Sequence, residues 1–161
     1  MKKCILISVL GLIFSISFGW DAFAQMKAYG PPINLETAKK FAAATAAEAS
    51  KNKWAMAVAI LDIGGALVYF EKMDGTQMGS VRVAIGKGRS AVMFKRPTKM
   101  WEDAVAAGGG GLRIRGLEGA VPIEGGLPLV MDGKIVGAIG VSAGTAQQDG
   151  MAAKAGADML K

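Results

Sequence analysis

The chain has 161 residues, 52% hydrophobic and 20% charged, with 23 Gly, one Cys and no His, and it carries a formal net charge of +6. That length fits one compact domain and excludes a large multidomain enzyme. With no His, the commonest metal ligand, the usual haem axial ligand and the usual general base near neutral pH are all absent.

Lys2 and Lys3 precede an almost uncharged apolar run from Cys4 to Trp20 that leads to Ala22-Phe23-Ala24. This is the pattern of a secretory signal peptide, residues 1–24, with cleavage after Ala24; an uncleaved membrane anchor is the alternative. Cys4 leaves with the leader, so no thiolate metal site or disulfide is expected in the mature chain, which has no further membrane segment. Removing Lys2, Lys3 and Asp21 takes the formal charge from +6 to +5. That mild basicity suits an anionic ligand as well as an ordinary solvated surface, and no polybasic run interleaved with aromatics points to nucleic acid.

Residues 25–33 form a polar lead-in, and a single domain is expected over 34–161. Asn34 stands at an N-cap position before an Ala-rich helix to about Ser50, whose apolar face is Leu35, Ala38, Ala42, Ala46 and Ala49. Ala55 to Leu61 is apolar on both sides, Met56, Val58 and Ile60 facing one way, which predicts a covered central strand. The turn at Asp62-Ile63-Gly64-Gly65 leads to a second strand, Ala66 to Lys72, ending at Asp74-Gly75. Ser80 is a cap for a second helix through about Phe94. Pro97 and Thr98 open a third helix, and the glycine run 108–111 ends it as loop, with an irregular connection to Gly119. Ala120 to Ile123, Leu127 to Met131 and Lys134 to Ser142 read as a three-stranded meander, the last two joined at Asp132-Gly133. Thr145 and Gln148 form a capping box for a terminal helix. Helices between hairpin-joined strands imply an α+β fold with an antiparallel sheet of about five strands.

Neither G-x-G-x-x-G after a strand nor G-x-x-x-x-G-K-[ST] occurs, so nucleotide binding loses its main support. Gly137 and Gly140 in the last strand mark close approach of another backbone or of a flat ligand. Lys95-Arg96-Pro97-Thr98-Lys99 gathers three cations and a hydroxyl at a helix start, where a carboxylate or phosphate could dock; the plainer reading is a capped helix with solvated cations. Asp62, Glu71 and Asp74 lie near strand ends and could form a carboxylate pair for acid–base work; the plainer reading is that turn aspartates bond their own backbone. Met73 and Met78 flank Asp74-Gly75, so a thioether ligand to haem iron or copper is one reading and an ordinary exposed Met the other.

The pieces Asp62-Ile-Gly-Gly65, Asp74-Gly75, Phe94-Lys-Arg-Pro-Thr98, Gly125-Gly-Leu-Pro128, Asp132-Gly133, Gly137-Ala-Ile-Gly-Val-Ser142 and Gln148-Asp149 follow in one order. Together they resemble the GlcG/HbpS family of haem-binding proteins over about Asn34 to Leu160. The resemblance implies a profilin-like or PAS-like domain, a homo-oligomer (a dimer or larger), and haem as cofactor. It also implies that Thr98 offers a hydroxyl oxygen to iron, with Lys95, Arg96 and Lys99 meeting the propionates. Because a neutral alcohol is a weak iron ligand, Met78, or less well Tyr69, is a further candidate donor.

The leading expectation is therefore an exported, periplasmic or secreted haem-binding protein in haem or iron handling or redox sensing, with no chemical step of its own. A binding protein or enzyme for a small anionic metabolite such as a hydroxy acid, anchored by Arg96 or Lys87, is the alternative. An oligomeric scaffold without a small ligand is the third.

Overall fold

The computed structural model describes residues 26–159; the expected leader lies outside them. Helix α1 (Leu35–Lys51) leads to strands β1 (Ala57–Asp62) and β2 (Leu67–Lys72), then helices α2 (Gly79–Met93) and α3 (Thr98–Ala106). A 3-10 helix (Gly109–Gly116), strands β3 (Gly126–Met131) and β4 (Lys134–Ser142) and helix α4 (Ala146–Ala157) complete the described elements. The four strands form one antiparallel sheet in the order β2-β1-β4-β3. The fold is α+β, as the sequence pattern implies.

Alternation along β1 decides how the layers stack. Val58 and Ile60 join Phe41, Ala42, Ile139 and Ala152 in a core beneath α1 and α4, while Ala57, Ala59 and Leu61 meet Ala84 of α2 on the opposite face. Both faces are thus covered. The Asn34 side chain accepts from the Thr37 N–H at 2.8 Å, and Thr145 and Gln148 close the capping box of α4.

Glycines set the spacing between layers. A Cβ at Gly140 would stand 2.0 Å from the Ala84 carbonyl oxygen and 2.5 Å from the Gly88 nitrogen, so α2 lies directly on the β4 backbone. The close approach expected at Gly137 and Gly140 is that of backbone: a Cβ at Gly137 would stand 2.2 Å from the Leu61 carbonyl oxygen.

Four local expectations change. Ala120 to Ile123 is not a strand, because Pro122 has no N–H, Val121 donates to Ser90 Oγ at 3.0 Å and Ile123 donates back to the Val121 carbonyl. The glycine run and Leu112 to Gly116 wind into the 3-10 helix instead of a loop, aided at its start by Gly108 and Gly109 with positive φ. Ser80 does not cap α2, which begins at Gly79; its hydroxyl is buried and accepts from the Gln77 side chain. On α1, Leu35 is exposed and the buried stripe is Ala38, Phe41, Ala42, Thr45 and Ala49.

The lead-in is structured as well. Gly30 N–H donates to the Ile135 carbonyl at 2.8 Å, Ile135 N–H to the Ala28 carbonyl at 2.9 Å, and Ile33 N–H to the Val136 carbonyl at 2.8 Å. Tyr29 forms a parallel bridge to Ile135, beyond the end of β1.

Gly140→Ala should destabilise the fold by about 1–3 kcal/mol or more, because the added methyl forces α2 off the sheet. Gly86→Ala, whose new Cβ would meet only the Val121 side chain at 3.5 Å, should instead stabilise by about 0.5–1 kcal/mol through helix propensity. Urea unfolding of the two variants checks both signs.

Candidate functional site

β3 is an edge strand, and its free side is overhung by the start of α3 and the second half of α4. Between them lies a cavity of about 940 Å³, within the range of ligand sites. Its floor is apolar, with Leu127, Pro128 and Val130 of β3 and Ile135 of β4. Pro128 lacks an N–H and so blunts the open edge.

The rim is cationic. Lys95, Arg96 and Lys99 of the expected cluster line the cavity, joined by Lys27 from the lead-in and Lys154 from α4. Glu124, Asp132 and Asp158 are the carboxylates among the lining residues. Lys95 adopts a positive φ of 54° and lays its ammonium over the Tyr29 ring at 4.2 Å, while the Arg96 guanidinium lies 4.6 Å from the Trp101 ring centre. Arg96 Nε also donates to the Phe94 carbonyl at 3.0 Å, and Phe94 stacks edge-on against Trp101. Lys99 pairs with Asp103 and Lys154 with Asp158 along their helices. The bond to Asp103 raises the Lys99 pKa and holds it protonated.

The other sequence candidates are placed elsewhere. Thr98 is fully buried: its Oγ1 accepts from the Gly126 N–H at 2.9 Å, so in this structure the hydroxyl fixes the start of β3 behind the cavity wall. Lys87 is buried with Asp149, their charged atoms 2.6 Å apart. Met78 is 78% exposed ahead of α2 and does not line the cavity. Met73 turns inward, its sulfur accepting from the Met56 N–H at 3.4 Å, and Tyr69 hydrogen-bonds Glu71 on β2. Asp62 Oδ1 accepts from the Gly64 and Ala66 N–H groups, the ordinary role of a turn aspartate.

Sequence reasoning missed Met26, Lys27, Glu124 and Lys154. Only the fold brings them together, although Glu124 directly precedes the noted Gly125-Gly126 pair. Among the described residues no three side chains from His, Cys, Asp and Glu gather as they would around a metal ion, and no helix is long and apolar enough to cross a membrane.

Glu124 is a lining carboxylate whose pKa the fold raises. Burial raises its pKa above the usual carboxylate value, Glu102 and Asp103 push the same way, and Lys99 and Lys87 pull against them. A carboxyl whose pKa is raised by folding adds stability that is full below its unfolded pKa and is lost as pH rises through the folded one. The stability of the wild type relative to Glu124→Gln should therefore fall as pH rises from the ordinary Glu range to just above it, then level off. Parallel urea titrations across that window check this; a difference that is flat with pH contradicts it.

Comparison with known proteins agrees with this architecture. The family model described as haem degrading protein HbpS-like matches residues 33–158. The chain is 33% identical over 128 residues to a 15.0 kDa protein from the dhaT-dhaS intergenic region of Citrobacter freundii, covering 78% of this chain and 90% of that one. It is 36% identical over 110 residues to protein GlcG of Escherichia coli K12, covering 68% and 81%. The crystal structure of HbpS superposes with a TM-score of 0.74 at 28% identity, covering 83% of this chain and 94% of that one. A PduOC:heme complex gives 0.71 at 25%, covering 81% and 97%, and Klebsiella pneumoniae protein ORFY gives 0.73 at 30%, covering 80% and 90%. With the family model spanning nearly all of the described residues, the chain belongs to the GlcG/HbpS-like family.

Proposed function

We propose that this chain is an exported haem-binding protein, periplasmic or secreted after loss of residues 1–24, that works in haem or iron handling or redox sensing as a homo-oligomer. The observation that carries the reading is the cavity itself: about 940 Å³, an apolar floor on the β3 edge, and the cations Lys95, Arg96 and Lys99 along one side. A flat, greasy dianion matches that arrangement. Its macrocycle would cover Leu127, Pro128 and Val130, and its two carboxylates would take charge-assisted hydrogen bonds from Arg96 and its neighbours. Haem, when bound, would supply the iron chemistry, while these side chains bind, orient and exclude water. Two further facts support the reading: the family is described by haem degradation, and one structural neighbour is a heme complex.

A small hydroxy acid would use the same cations but leave the apolar floor wet. Lys87, the other anchor considered for such a ligand, is held by Asp149 away from solvent.

Hemin titrated into the chain from residue 25 onward should saturate at one per chain with a shifted Soret band and a raised melting temperature. Arg96→Ala should weaken binding roughly tenfold or more, since charge-assisted hydrogen bonds are lost. A spectrum matching hemin in buffer, or stabilisation by hydroxy acids alone, would overturn the reading.

A further inference from the structure

An iron held in this cavity needs an electron-pair donor, and the chain has no His to give one. The rim cations have no lone pair to offer in their charged forms. Neither Thr98 nor Tyr29 lines the cavity: Thr98 is buried with its Oγ1 on the Gly126 N–H, and the Tyr29 hydroxyl is turned to the Val92 carbonyl at 2.7 Å beneath the Lys95 ammonium. Three thioethers remain on the lining: Met26, Met100 and Met131. Met131 packs against the core under α1 and α4, and the Met26 sulfur accepts from Arg96 Nη2 at 3.7 Å. Met100 differs from both. It stands in the first turn of α3 beside Lys99, is 53% exposed, and lines the cavity on a backbone fixed by its N–H bond to the Pro97 carbonyl.

We propose that Met100 is the thioether donor to the iron of a haem bound in this cavity, an inference that rests on the haem reading above. A soft sulfur ligand on a flexible, unbranched side chain suits a site whose anionic lining side chains are hard carboxylates. Thioether ligation also raises the reduction potential of haem iron.

The test is spectroscopic. The ferric hemin complex of the wild type should show the far-red iron–sulfur charge-transfer absorption, and its potential should lie above that of Met100→Leu. That near-isosteric change should abolish the band and speed haem release roughly tenfold. Met26→Leu, Met131→Leu and Met78→Leu should keep the band, which assigns the donor by elimination even if Met100→Leu does not fold. Survival of the band in folded Met100→Leu, or its loss in another variant, overturns the assignment. So does a saturable wild-type complex without the band, which leaves the haem reading standing; the absence of any saturable complex removes both.

Discussion

A buried ion pair fixes the end of the sheet at which the cavity is built. Lys87 on α2 and Asp149 on α4 belong to helices on opposite faces of the sheet, yet their charged atoms meet at 2.6 Å with side chains 1% and 3% exposed. Two charges so far from water are tolerated only when paired and hydrogen-bonded, and Asp149 also accepts from the Gly144 N–H at 2.9 Å. The strand that begins beside them must have no side chains there. A Cβ at Gly125 would stand 2.9 Å from Lys87 Nζ and 2.8 Å from Asp149 Cβ, on a backbone with φ of 122°. A Cβ at Gly126 would stand 2.4 Å from the Lys87 carbonyl and 2.7 Å from the Thr98 methyl.

The binding surface follows from that node. Thr98 ties the first residue of α3 to Gly126, so the α3 start and the β3 edge are fixed to one another, and Lys95, Arg96 and Lys99 are carried to the rim of the floor that β3 provides. The aromatic rings of Tyr29 and Trp101 hold Lys95 and Arg96 in place before any ligand arrives, which lowers the ordering cost of binding. The pieces of sequence that resemble the family, the Arg96-Pro97-Thr98 turn, the Gly125-Gly126 pair and Gln148-Asp149, thus converge on one place. They shape the cavity from behind more than they touch its contents.

Much of this frame was legible in the sequence. Asn34 and Thr145 announced helix starts through side-chain chemistry confined to a few residues, and the two-sided apolar run at β1 marked the centre of the sheet. Gly140 signalled a close approach of a backbone or of a flat ligand, and the α2 backbone is what lies there. Burial of Lys87 was not legible by the same route, because a lone lysine in a helix reads as solvated. The signal that could have found it is its position on the stripe Ala84, Lys87, Gly88 and Ala91, all buried against the sheet. Met26, Lys27 and Lys154 come from opposite ends of the chain, and nothing in local periodicity brings them together. Ala120 to Ile123 has the apolar content of a strand, but Pro122 lacks the N–H that a ladder needs.

The most direct test of the central claim is a double-mutant cycle on unfolding free energy with Lys87→Met, Asp149→Leu and the pair combined. Each single change should destabilise by about 3–5 kcal/mol by stranding a buried charge, and the combined change should recover most of that loss. Small single effects that simply add would show that the two charges are not held together out of water, and would contradict this account of what shapes the site.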